Sequence, residues 1–180
     1  MAVNEDVGLP LLACSGGYSF SGRLNSNTDL RNVLLEAVKH GVSNVYIQPK
    51  SPICFMVNGK LLALSPHQIT YQDMELICSW ASGVAGAMTT INSGGKVNSR
   101  YEIVIPADNP LNSPTRLGFR VNISGITKSG QTSAQIVIRP IPENPPKYYQ
   151  IGLDEETVKA MCHSNGIIIV AGATGAGKTT

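Results

Sequence analysis

Gly166-Ile167-Ile168-Ile169-Val170-Ala171-Gly172-Ala173-Thr174-Gly175-Ala176-Gly177-Lys178-Thr179-Thr180 joins an apolar run to a glycine-rich turn. The run, residues 166–171, suits a strand buried on both faces of a parallel sheet. Residues 172–179 then match G-x-x-x-x-G-K-[ST], the phosphate-binding P-loop. The chemistry needs these residue types. Gly172, Gly175 and Gly177 let the backbone bend, so that amide protons, those of Ala173, Thr174 and Ala176 among them, converge on phosphate oxygens. Lys178 sets a cation against the β- and γ-phosphates of ATP, and the Thr179 hydroxyl is placed for Mg²⁺. Thr180 is counted with the nucleotide contacts, because a helix starting near Lys178 aims its positive end at the phosphates. A chance match in a chain of this length is expected about one time in a hundred or less. The alternative is a glycine-rich turn with no ligand.

Upstream of this run, Asp154 caps a short helix whose first turn carries Glu155 and Glu156, favourable at the positive end of the helix dipole. Leu153 and Val158 are placed to staple across that cap, and the helix is expected to end near His163. Further upstream, Pro140, Pro142, Pro145 and Pro146 crowd together. Proline lacks an amide proton and stiffens the backbone, so the stretch predicts a semi-rigid linker and a domain boundary.

Residues 28–141 predict a domain of their own. Thr28 or Asp29 caps a first helix on which Leu30, Val33, Leu34, Ala37 and Val38 share one face, ended by Gly41 after Lys39 and His40. Strands are expected at 45–47, 53–57 and 61–64, the last two joined by Asn58-Gly59, which suits a type I′ turn. Thr70 and Asp73 form a capping box for a helix through Trp80, and a weaker helix is expected over 84–91. Three more strands follow, at 100–105, 117–126 and 134–141, with Ser129-Gly130 turning between the last pair. This order predicts an α+β domain built on an antiparallel sheet. The divisions expected are an arm over 1–27, the domain over 28–141, a linker over 142–152 and the start of an ATPase domain over 153–180.

Composition bounds the function. Of 180 residues, 42% are hydrophobic and 14% charged, so a core is affordable and disorder is not expected. The net charge of +2 comes without clustered Lys and Arg, and no direct nucleic-acid contact is predicted. No basic n-region precedes the apolar residues near the start, and no run is long enough to span a membrane. Cys14, Cys54, Cys78 and Cys162 form neither a CxxC pair nor a zinc spacing and read as reduced cytosolic thiols.

Several blocks together resemble the secretion-type (traffic) ATPases of type II secretion, type IV secretion and type IV pili. They are residues 40–48, the 57–61 hairpin, Phe119-Arg120-Val121-Asn122, Ile138-Arg139-Pro140-Ile141-Pro142 and residues 166–180. They stand in the family's order and cover most of 28–180. The stretch from Ser93-Gly94 to Tyr101-Glu102-Ile103 and the Pro145-Pro146 linker resemble the DotB and TraJ group in particular. The resemblance implies a PAS-like N-terminal domain, a RecA-like ATPase domain and a homo-hexameric ring. ATP with Mg²⁺ then sits between the domains, in a cytoplasmic motor held at the inner membrane by proteins of the secretion or conjugation apparatus. It implies arginines of the first domain near the nucleotide, for which Arg120 and Arg139 stand in the matching places; their guanidinium forks suit phosphate oxygens.

Two departures stand out. Asn44-Val45-Tyr46 replaces an Asp-x-His pattern, and Gly118 stands where a second arginine is common, with Arg116 nearby but out of step. Residues 1–180 lack the helix, acidic strand end and partner strands such a loop works with, so this stretch alone is expected to bind nucleotide weakly and not to turn it over. A competing reading takes 28–141 as a sensor or docking module with nucleotide control secondary; an apolar ligand pocket in that domain would favour it. A nucleotide kinase would explain the loop but not the domain ahead of it.

Overall fold

Period-two burial along three long strands organises the molecule. The computed structural model describes residues 3–4, 9–12, 23–107, 113–142, 147–162 and 164–172. It divides into two compact units, 1–141 and 142–180. In chain order the first unit holds β1 (Val3–Asn4), β2 (Leu9–Pro10), α1 (Asn27–Lys39), β3 (Asn44–Ile47), β4 (Cys54–Val57) and β5 (Lys60–Ala63). Then come α2 (Tyr71–Ser82), α3 (Ala87–Asn92), β6 (Lys96–Ile105), β7 (Thr115–Lys128) and β8 (Gln131–Ile141).

Local chemistry fixes these elements. The N-cap of α1 is Ser26, whose side chain accepts the Asp29 N–H at 3.2 Å. The expected cap at Thr28 or Asp29 is therefore corrected: Ser26 already satisfies that amide, and Asp29 instead accepts the Asn25 N–H at 2.9 Å. His40 caps the C-terminal end, and Gly41 follows in the left-handed region. The turn between β4 and β5 has positive φ at both Asn58 and Gly59, as a type I′ hairpin requires. The capping box at Thr70 and Asp73 forms as expected. The expected helix over 84–91 starts only at Ala87, because Gly86 takes a left-handed conformation at its N-cap. Strands β6, β7 and β8 run longer than expected, and the β7–β8 turn has positive φ at Ser129 and Gly130.

Six strands, β3 to β8, form one antiparallel sheet in the order β5-β4-β3-β8-β7-β6. Beside β5, Leu11 bridges Ala63, and the Leu12 N–H donates to the Ala63 carbonyl at 2.8 Å. One face of the sheet presents Val45, Ile47, Phe55, Phe119, Val121, Ile123, Ile136 and Ile138, all fully buried. They share a single core with Leu30, Val33 and Leu34 of α1, Met74 and Ile77 of α2, and Ile91 of α3. Helices on one face of an antiparallel sheet agree with the α+β expectation. The other face mixes charged residues such as Arg120 and Arg139 with apolar ones such as Met56 and Leu61.

Among the described residues of this unit, the Cys54 and Cys78 thiols stay neutral. Burial pushes the Cys54 thiol from 9.0 to about 11, with Lys128 pulling weakly the other way, and pushes Cys78 to about 12. A folded-state value above the unfolded one means that the contribution to stability is complete below about pH 9. It is lost as pH rises through the folded values. Cys162, by contrast, is exposed. With a thiol reagent at pH 8, Cys162 is expected to label fast, and Cys54 and Cys78 only on unfolding. Peptide mapping of early label on Cys54 or Cys78 would overturn this.

The second unit holds a 3-10 turn (Tyr148–Ile151) and α4 (Glu155–Met161). Asp154 caps α4 as expected, accepting the Thr157 N–H at 2.6 Å, and that hydrogen bond holds its carboxyl below the usual range. The strand expected over 166–171 is not formed: those residues have no ladder partner among the described residues, and Ile167 and Ile169 are 89% and 84% exposed. Apolar sequence supplies the material for a buried strand; only neighbouring strands make it one.

Candidate functional site

Alternation on β7 sets the site. Phe119 and Val121 point into the core, so Arg120 between them points to the open face. Its two cross-strand neighbours are also arginines: Arg100 on β6 and Arg139 on β8 stand directly opposite it in register. Three arginines thus stand in register across the sheet, all exposed. Like charges directly opposite one another cost about 0.2–1 kcal/mol.

Their partners are few. The Arg139 Nε donates to Asn44 Oδ1 at 3.0 Å, which extends the line onto β3. Arg100 Nη2 lies 3.8 Å from Glu102 Oε2, too long for a hydrogen bond. The Arg116 Nη1 donates to the other oxygen of Glu102. Among the described residues, no carboxylate reaches Arg120 or Arg139 within 4.0 Å. Each guanidinium fork has paired N–H donors of the kind that suit phosphate or carboxylate oxygens.

Of the residues singled out from sequence, Arg120 and Arg139 are brought side by side. Gly172 lies exposed in the second unit. Ala173, Thr174, Gly175, Ala176, Gly177, Lys178, Thr179 and Thr180 lie outside the described residues. The out-of-step Arg116 is engaged with Glu102. Asn44, noted only as a departure from a family pattern, holds Arg139. Arg100 was missed as a site residue. Only the β6–β7 register reveals it, and the loop between those strands hides that register from sequence.

Elsewhere on the open face a groove of about 240 Å³ is lined by Tyr46, Gln48, Pro52, Cys54, Met56, Leu61 and Gln135, none of them charged. Among the described residues, no three or more His, Cys, Asp or Glu side chains converge as metal ligands would. No helix among them is long and apolar enough to cross a membrane.

The fold of this chain, helices over one face of an antiparallel sheet, is shared with known ATPases. The chain belongs to the secretion-type ATPases of type IV secretion and type IV pili. It is similar to the ATPase DotB of Yersinia pseudotuberculosis, with 35% identity over 97% of this chain and 45% of that one, at a TM-score of 0.80. DotB of Legionella pneumophila matches at 26% identity over 93% of this chain and 42% of its own, with a TM-score of 0.69. The pilus retraction motor PilT, solved with bound ADP, shares the fold at 20% identity and a TM-score of 0.61, over 83% of this chain and 39% of its own. The chain therefore spans less than half the length of each of these proteins. No protein-family model and no curated protein sequence matches it.

Proposed function

We propose that this chain is the PAS-like first domain, the 142–152 linker and the start of the RecA-like domain of a hexameric ATPase that powers type IV secretion, conjugative transfer or pilus dynamics. Residues 172–180 cradle the phosphates of ATP. Lys178 places its ammonium between the β- and γ-phosphates, and Thr179 offers its hydroxyl to Mg²⁺, which would neutralise phosphate charge there. Arg120 and Arg139 meet the phosphates from the first domain when the two domains close on the nucleotide. The motor works in the cytoplasm, held at the inner membrane by apparatus proteins.

What carries the reading is the in-register pair Arg120 and Arg139 in a chain 35% identical to a DotB ATPase over nearly all its length. The sensor or docking reading has only the uncharged groove in its favour. The test is Lys178→Gln in the full-length protein. Loss of one charged hydrogen-bond donor is expected to weaken binding of a fluorescent ATP analogue about tenfold. Unchanged affinity would remove the P-loop from the account and leave the docking module.

A further inference from the structure

We propose that Gly118 is a seat for the Arg100 guanidinium, which makes Arg100 a third oxyanion contact in line with Arg120 and Arg139. This rests on the reading that those two arginines meet the phosphates of a nucleoside triphosphate.

The glycine is the first observation. Gly118 lies within β7, opposite Glu102, and its backbone is ordinary strand, so no unusual φ calls for glycine there. What calls for it is close approach. A Cβ at position 118 would sit 3.0 Å from Arg100 Nη2, 3.4 Å from its Cζ and 3.6 Å from its Nε. The whole guanidinium plane therefore lies over the space that a side chain would fill. Glycine inside a strand otherwise weakens it, and a close approach is one of the few reasons to find it there.

The seat also directs the charge. Arg100 could extend into solvent; instead its head crosses from β6 onto β7, two residues along the same face from Arg120. Its one charge partner among the described residues is Glu102, at 3.8 Å, and Glu102 is itself held by Arg116. The Arg100 donors are thus left for a ligand. Residues two apart on one face of a strand lie about 7 Å apart, so the Arg100 head over Gly118, with Arg120 and Arg139 beyond it, presents a spread of charge matched to a chain of linked phosphates rather than to a single anion.

The measurement is calorimetric binding of inorganic tripolyphosphate, and of ATP, to the full chain at fixed salt. Arg100→Gln and Gly118→Ala are each expected to weaken tripolyphosphate about fivefold, since an exposed charged contact is worth less than a buried one. The double variant is expected to bind no worse than either single variant, because Gly118 acts only through Arg100. Thermal melts are expected to stay unchanged for Gly118→Ala, as only the far end of a flexible side chain must move. Arg100→Lys is expected not to restore binding. Additive losses in the double variant would show that Gly118 acts on its own and overturn the seat. Arg100→Gln without effect, beside a weakened Arg120→Gln, would end this inference alone. Arg120→Gln and Arg139→Gln both without effect would remove the reading beneath it.

Discussion

Phe119→Ala is expected to lower the stability of the chain by about 3–5 kcal/mol, the largest loss of any substitution near the site. The ring is fully buried in the central part of the sheet and meets Tyr101 edge-on, with ring centroids 6.3 Å apart. Truncation removes apolar burial, an aromatic pair and the atoms that fill the space between sheet and helices. A domain of this size is stable by roughly 5–15 kcal/mol, so the variant keeps only a fraction of its margin. Urea unfolding followed by circular dichroism measures it. Val104→Ala on β6, whose side chain is largely exposed, is the control and is expected to change stability by less than about 0.5 kcal/mol. A loss below about 1 kcal/mol in Phe119→Ala would mean that the core does not rest on this ring. The consequence reaches the site, because Phe119 lies between Gly118 and Arg120. Its anchoring inward is what turns its two neighbours outward.

That alternation explains which parts of the molecule were legible in sequence. The hairpin at Asn58-Gly59, the box at Thr70 and Asp73, and the turn at Ser129-Gly130 each follow from short-range chemistry. All three stand where the residues indicate. Arg120 and Arg139 were found through a family resemblance, but that they face one another is a matter of register. Register is set by pairing over the whole of β7 and β8. Arg100 was invisible for the same reason, and Gly118 read as a deficit until the neighbouring strand's side chain was seen above it. The 166–171 run failed in the opposite direction. Its composition is that of a strand, yet a strand is defined by partners, and sequence periodicity says nothing about whether they stand beside it.

Arg120→Gln is expected to move two quantities in opposite directions. In the full-length protein it should slow ATP turnover by about a hundredfold, the usual cost of removing one donor aimed at charge that develops in the transition state. In the chain without nucleotide it should raise stability by about 0.2–1 kcal/mol, because Arg120 alone has a like charge on both sides. Arg100 and Arg139 each flank one arginine, and Arg139 has Asn44 as a partner besides, so their substitution relieves less. A surface arginine with a purely structural role gives neither result: removing it would leave turnover alone and stability unchanged or lower. Arg120→Lys keeps the charge but loses the planar fork, and is expected to recover neither the turnover nor the stability gain. Turnover within about threefold of the unmodified protein in Arg120→Gln would take the residue out of the nucleotide site. A melting temperature that falls would mean that the row is stabilised by something other than the ligand. Sites that bind charge are built at the expense of the empty fold, and the middle position of a line of three like charges is where that expense is greatest.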